Sequence, residues 1–269
     1  MMNIKTLKSV SYALILSLGL TFALTSCGSN SEPMDLPPAE SLTIDLSLFP
    51  THATKSAELY AYNWAYAYGT IWWYNAHAFA AVLVPTVAYK EAFNHEPTYI
   101  EDGTWQWAYS VTVFGNSYGV VLTGTRIDRS TFSMEMKLSM MGGFQDFTWF
   151  SGVIRYDLSE VNWTLYKSPD NPTEFLSIEF VKDYETEVGN IKVTIVDPDN
   201  DFYGSYIQYG EDPEQEYSAY YNVLKQDSTV NIEWSMTDLY GHVKSSEWFK
   251  DNEWHCWSET LQDVDCTVE

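Results

Sequence analysis

The chain has 269 residues and carries 37 acidic against 14 basic side chains, for a formal charge of −23 at pH 7. This surplus of negative charge repels a phosphate backbone and excludes nucleic acid as a partner. The length is sufficient for a large domain with its own hydrophobic core.

The first predicted element is a hydrophobic leader. Residues 1–26 contain Lys5 and Lys8, no acidic residue, and an apolar run of about fifteen residues after the second lysine. This is the layout of a secretory signal peptide. As a helix the run would measure ~22 Å, which is short for a hydrocarbon core of ~30 Å, so a retained membrane anchor is the less favoured alternative. Without the leader, 12 basic residues remain and the net charge is −25.

The leader ends in Leu24-Thr25-Ser26-Cys27. These four residues resemble the lipobox of bacterial lipoproteins, with leucine three positions before the cysteine and two small residues between them. The resemblance implies that Cys27 becomes the mature N-terminus and carries a diacylglyceryl thioether and an N-acyl chain such as palmitate, which together give stable anchoring. Because Gly28 rather than aspartate follows the cysteine, it also implies the outer membrane of the bacterial cell envelope, with the periplasmic or surface face left open.

The segment after the cysteine is predicted to be unstructured. Residues 27–50 are rich in serine, proline and acidic residues and lack a steady apolar period, which is typical of a flexible tether. The stretch "LTIDLSLF" within it alternates enough that a first strand is an alternative.

Residues 51–100 are predicted to be a helical segment rich in aromatic side chains. From Leu59 to Tyr89 there is no Asp, Glu, Lys or Arg, and large side chains recur at steps of three and four. A helix that is apolar on every face is buried, so packing on a β domain is favoured over partial lipid contact or a membrane span. Gly69 and Pro85 are predicted to break the segment into two or three pieces.

Residues 101–269 change to a hydrophobic period of two. Trp105, Trp107 and Tyr109 share one face of the first run, and the same alternation recurs in about eleven runs separated by short turn sequences. A mainly β fold follows: a long antiparallel up-and-down meander that curls into a barrel or half-barrel, preceded by a helical plug or lid.

This layout resembles two groups of carriers. A lipidated chain with helical segments and about eleven antiparallel strands is similar, across residues 51–269, to the LolA/LolB half-barrel and to lipocalin-type proteins. LolA and LolB carry lipoprotein acyl chains. The resemblance therefore implies a half-barrel that holds an apolar ligand.

The amphipathic sheet and the aromatic surplus favour a binder or carrier of an apolar ligand. Trp, Tyr and Phe together number 44, enough to line an aromatic concavity. The predicted wall residues are aromatic or methionine side chains of the helical segment and the strands: Trp72, Phe79, Trp105, Trp107, Tyr109, Met134, Met136, Trp163 and Trp234. The competing hypothesis is a structural or assembly lipoprotein that contacts another envelope protein, with assistance from Ca²⁺.

Catalytic motifs are missing from the sequence. The His-Glu-x-x-His pattern of metallohydrolases, the Gly-x-Ser-x-Gly elbow and a glycine-rich phosphate loop are all absent. The sequence therefore predicts a protein that is not an enzyme and needs no cofactor.

Two cysteines remain once Cys27 is assigned to lipid. Cys256 and Cys266 are predicted to form a disulfide, because the envelope is an oxidising compartment. A metal site of these cysteines with His255 is the less favoured alternative.

One turn has the spacing of a metal loop. Asp197, Asp199 and Asp201 alternate in "DPDND", and oxygen ligands at this interval suit Ca²⁺. Phe202 and Gln208 stand where the EF-hand requires glycine and glutamate, so that template fails. A plain hairpin turn explains the segment fully and is the favoured interpretation, with a Ca²⁺ site in the loop as the alternative.

Overall fold

The computed structural model describes residues 32–47, 49–50 and 62–266, except for the side chains of Phe79 and Ala81. The predicted signal peptide and the predicted acylation site, Cys27, lie outside these residues. The chain divides into two units after Glu32, and the unit that begins at Pro33 is described below.

The secondary structure consists of two helices, one 3-10 turn and fourteen strands within the described residues. The elements in chain order are the 3-10 turn Ala39–Leu42, α1 Tyr62–Ala92, β1 Thr98–Tyr99, β2 Thr104–Val113, β3 Asn116–Arg126, β4 Thr131–Met140, β5 Phe147–Arg155, β6 Glu160–Ser168, β7 Asn171–Lys182, β8 Gly189–Ile195, β9 Tyr206–Glu211, β10 Ala219–Lys225, β11 Ser228–Trp234, β12 Gly241–Lys244, α2 Ser246–Phe249, β13 His255–Trp257 and β14 Asp263–Val264.

All fourteen strands form one sheet in which each strand pairs antiparallel with its neighbours in the sequence. The predicted mainly β meander is confirmed. The described strands do not close into a ring, because the order runs from β1 to β14 and these two do not pair, so the half-barrel form applies. The sequence predicted about eleven strands because β1, β13 and β14 have only two or three residues, too few to show an alternation.

Helix α1 lies across the inner face of the sheet. At its described start, the carboxylate of Asp263 accepts a hydrogen bond from the backbone N–H of Asn63 at 2.9 Å. In its middle, Tyr221 of β10 donates to Asn75 at 3.1 Å, and near its end Tyr109 of β2 donates to the carbonyl of Ala88 at 2.6 Å. The helix thus bridges the last strands and the first ones. None of the described helices is long and apolar enough to cross a bilayer.

The predicted breaks in this helix are wrong. Helix α1 runs without interruption through Gly69 and contains Pro85. A proline inside a helix removes a hydrogen bond and costs about 3 kcal/mol. Val82, Ala88 and Tyr89 lie on both sides of it, are at most 3% exposed, and their packing against the sheet offsets that cost.

The prediction of a flexible tether over residues 27–50 is wrong for its second half. Residues 33–47, 49 and 50, called the strap below, lie on the inner face of the sheet, with Met34, Leu42, Ile44 and Phe49 at most 7% exposed. The indole N–H of Trp163 donates to the Ser41 hydroxyl at 3.1 Å. The buried residues of the strap are unevenly spaced, because an extended segment follows the shape of the sheet. The sequence of the strap therefore shows no hydrophobic period. The described residues of the alternative strand in "LTIDLSLF" are not in a strand.

Several strand glycines make room for an aromatic ring on the neighbouring strand. Gly152 pairs with Trp163, and Gly241 pairs with Trp257. A Cβ atom on Gly152 would lie 2.3 Å from Cε3 of Trp163, and one on Gly241 would lie 2.3 Å from Cζ2 of Trp257. The rings therefore lie directly over the glycine backbone.

Gly152→Ala is expected to lower the free energy of unfolding by about 2 kcal/mol, because the new methyl group forces the Trp163 ring out of its packing. Gly119→Ala is the matched control, since a Cβ there would meet only the Ser139 carbonyl, at 4.0 Å. Urea unfolding of both variants measures the difference. Equal stability of the two variants would contradict the close approach.

The predicted disulfide is confirmed. Cys256 of β13 is bonded to Cys266, which lies just after β14, with their Cα atoms 5.3 Å apart. The bond holds the last two strands together.

Candidate functional site

Most of the predicted wall residues belong to the packed core. Trp107, Met134, Met136, Trp163 and Trp234 are at most 3% exposed and lie in one cluster with the strap and α1. The inner face of the sheet is filled by the chain itself at these positions. They contribute stability there, since side chains of this size fill rather than line a packed half-barrel.

The other predicted wall residues are scattered. Trp105 and Tyr109 are half-buried at the first strands, whereas Trp72 is 60% exposed on α1. The side chain of Phe79 lies outside the described residues. None of the predicted wall residues with a described side chain lines the cleft that the structure forms elsewhere.

That cleft lies between the middle of α1 and strands β7 to β11, and it is called the helix–sheet cleft below. Its apolar compartment has a volume of about 400 Å³. The walls are mostly apolar and come from α1 and from the ends of β7, β8, β9 and β10: Tyr74, Ala78, Phe175, Leu176, Val193, Ile195, Ile207 and Leu224. Size and lining match those of pockets that take small apolar ligands.

A second compartment adjoins the first and shares Trp73, Tyr74 and Lys225 with it. This aromatic compartment has a volume of about 760 Å³ and lies between α1, α2 and strands β10 and β11. Tyr66 and Trp248 stack on its wall with ring centroids 4.7 Å apart. Burial raises the pKa of Tyr74, and the neighbouring Tyr66 and Glu247 act in the same direction.

Local sequence explains how α2 reaches this position. The Ser245 side chain caps the helix by accepting a hydrogen bond from the Trp248 backbone N–H, and Lys250 ends it in the left-handed conformation. The four-residue helix therefore presents Glu247 and Trp248 to the cleft. Ser228 of β11 donates to the Glu247 carboxylate at 2.6 Å and fixes its direction.

The charged groups of the cleft are few. Lys225, Lys250 and Glu247 are the charged residues that line it, which leaves a local excess of positive charge in a strongly acidic protein. The Lys225 ammonium lies 5.5 Å from the centroid of the Phe202 ring. A cleft that is apolar and has a cation at its edge can hold the apolar part of a ligand and orient the ligand's polar end.

The predicted calcium residues have other partners. The Asp197 carboxylate forms an ion pair with Lys167 at 2.6 Å and accepts from the Asp199 backbone N–H at 3.0 Å. The hydrogen bond from Lys167 lowers the pKa of Asp197. No group of three or more metal-binding side chains occurs in the part of the chain that the structure describes. Calcium at Asp197, Asp199 and Asp201 stays a prediction.

Sequence reasoning missed the residues of the cleft. Lys225 extends the inward-facing series Tyr221 and Val223 on β10, so the period of two could have placed its side chain on the inner face at the end of the strand. Nothing in the sequence predicted that α2 would bring Trp248 beside it, since their separation along the chain carries no local signal.

No protein-family model, curated protein or solved structure matches the chain.

Proposed function

We propose that the protein is an envelope lipoprotein that binds or carries an apolar ligand, without catalysis, in the helix–sheet cleft. The observation that supports this function is the apolar compartment of about 400 Å³, because its walls are mostly apolar and the predicted wall residues elsewhere on the inner face are packed. Each methylene that a ligand buries there contributes about 0.8 kcal/mol. A ligand with several such groups offsets the cost of association.

The lipobox-like residues 24–27 support the location. A chain acylated at Cys27 is held at a bilayer surface, and Gly28 favours the outer membrane of the bacterial envelope. The tether between Cys27 and Met34, where the strap begins to pack, spans at most about 25 Å when extended. The protein would therefore work close to the membrane that holds it.

Ala78→Phe is expected to weaken binding of the neutral fluorophore N-phenylnaphthylamine about tenfold or more, because the new ring occupies the apolar compartment. Ala78 lines this compartment, whereas Ala76 is exposed on α1 and does not line it. Ala76→Phe is therefore the matched control and should bind the fluorophore as the unaltered protein does. The measurement is a fluorescence titration of the chain that begins at residue 27 and carries Cys27→Ser; it has neither the leader nor acyl chains, needs no detergent, and is called the Cys27→Ser chain below.

Mass spectrometry of the gently purified lipoprotein should also detect a co-purified apolar compound. The proposal fails if no apolar compound is recovered and the two phenylalanine variants bind the fluorophore alike.

A structural or assembly role is the second candidate. It is favoured by large apolar side chains that protrude outside the cleft, namely Trp72 at 60%, Phe114 at 79% and Met141 at 95% exposure. Phe114 also has a positive φ of 51°, a conformation that strains an aromatic residue. Crosslinking in cells that recovers one stoichiometric envelope protein, lost on Phe114→Ser, would support this role.

A further inference from the structure

We propose that the ligand of the helix–sheet cleft is an amphiphile with an anionic head group, with its apolar part in the apolar compartment and its head at Lys225. This inference rests on the proposed function and adds the chemical class of the ligand. It follows from the position of Lys225, which lines both the apolar compartment and the aromatic compartment.

Lys225 stands where the two compartments meet. Tyr221 and Val223 of β10 face inward and are at most 3% exposed, and the period of two places Lys225 on the same face at the end of the strand. The residue lines both compartments. A ligand whose tail fills the apolar compartment therefore meets the ammonium group as it leaves that compartment.

The ammonium of Lys225 has no carboxylate partner among the ion pairs of the described residues. Lys137, Lys167 and Lys182 each pair with an acidic side chain. Lys225 instead lies over the Phe202 ring. A lysine that is unpaired in a chain with 37 acidic residues keeps its charge available for an anion.

The aromatic compartment offers room for the head group. Its lining includes Thr70, Ser228 and a second lysine, Lys250, together with Glu247, whose carboxylate accepts a hydrogen bond from Ser228. On the helix side stands Gly69, where a Cβ atom would meet no other atom within 4 Å. The wall of α1 is thus open at this point, and a head group larger than a carboxylate can fit.

Charge discriminates against free anions. The mature chain has a net charge of −25, so a small anion without an apolar part is repelled at long range. The positive group at the cleft acts only at short distance because salt screens it beyond about 10 Å. An amphiphile overcomes the repulsion because burial of its tail supplies the binding free energy.

Competition of dodecanoate and dodecanol for the N-phenylnaphthylamine site of the Cys27→Ser chain tests the inference. The two compounds share a tail and differ only in the charge of the head. Dodecanoate is expected to bind about tenfold more tightly than dodecanol at the same salt concentration. Lys225→Gln should bring the affinity for dodecanoate down to that for dodecanol, whereas Lys225→Arg should retain the preference.

Lys244→Gln is the matched control. Lys244 lies over the ring of Trp254 and lines neither compartment, so its loss should leave the preference unchanged. Equal affinity for the two compounds in the unaltered protein would overturn the anionic head group and leave the proposed function standing. If neither compound displaces the fluorophore, both the inference and the proposed function fail.

Discussion

Trp163→Ala is expected to lower the free energy of unfolding by about 4 kcal/mol, the largest effect of any single substitution considered for this protein. The side chain is 1% exposed, and its ring packs against those of Phe150 and Tyr89 with centroid distances of 4.9 and 5.9 Å. Truncation also leaves the buried Ser41 hydroxyl without the donor it has at 3.1 Å, and a buried polar group that loses its partner is costly.

Trp72→Ala is the control, because it removes the same side chain from a position that is 60% exposed. Its effect should lie within about 0.5 kcal/mol. Urea unfolding followed by circular dichroism measures both variants. Both tryptophans were predicted from the sequence to line a ligand concavity, so the pair of variants separates a packed side chain from an exposed one. A loss at Trp163 no greater than at Trp72 would show that the inner face is not packed there.

The β part of the fold could be predicted because an alternation repeats over many residues. In β4, for example, Phe132, Met134, Met136 and Leu138 are all at most 1% exposed while their neighbours are not. The pattern reports which face is buried. It does not report what covers that face, and a packed core and a ligand cavity give the same alternation.

For α1 and for the strap, predictions from local sequence alone do not give the observed conformation. Pro85 breaks an isolated helix, yet here the sheet beneath α1 holds the helix in one piece. The strap has the composition of a linker, yet Leu42 and Phe49 are at most 3% exposed because the sheet offers them an apolar surface. In both cases tertiary contacts that lie far apart in the sequence decide the conformation.

Only the chemical character of the candidate site could be predicted from the sequence, and its position could not. The sequence indicated an aromatic and apolar environment formed by the helical segment and the strands. The cleft, however, lies between α1, α2 and strands β7 to β11. Such a gap depends on the path of the chain rather than on residue type, and most of the predicted wall residues lie in the core instead.

Reduction of the Cys256–Cys266 disulfide is expected to lower the free energy of unfolding by about 3 kcal/mol, because the unfolded chain regains the freedom that the closed loop removes. The native structure near the disulfide is also held by few strand pairings. Strand β14 has two residues and pairs only with β13 in the described sheet. Its Asp263 accepts hydrogen bonds from the backbone N–H groups of Tyr62 and Asn63 at 3.3 and 2.9 Å. These are donors of the kind that the first turn of a helix cannot satisfy internally.

The disulfide therefore supports the described start of α1 through Asp263 and also through Cys256, whose backbone carbonyl accepts a hydrogen bond from the Asn63 side-chain amide at 2.9 Å. Dithiothreitol should lower the urea midpoint of the unaltered protein to that of the Cys256→Ser/Cys266→Ser variant and should not affect the variant itself. Amide hydrogen exchange at Asn63 should accelerate both in the protein treated with dithiothreitol and in the double serine variant. Exchange at Leu122, which is fully buried in β3, should change only as far as global stability does. Unchanged protection at Asn63 after reduction would mean that β14 and its Asp263 hold their place without the bond.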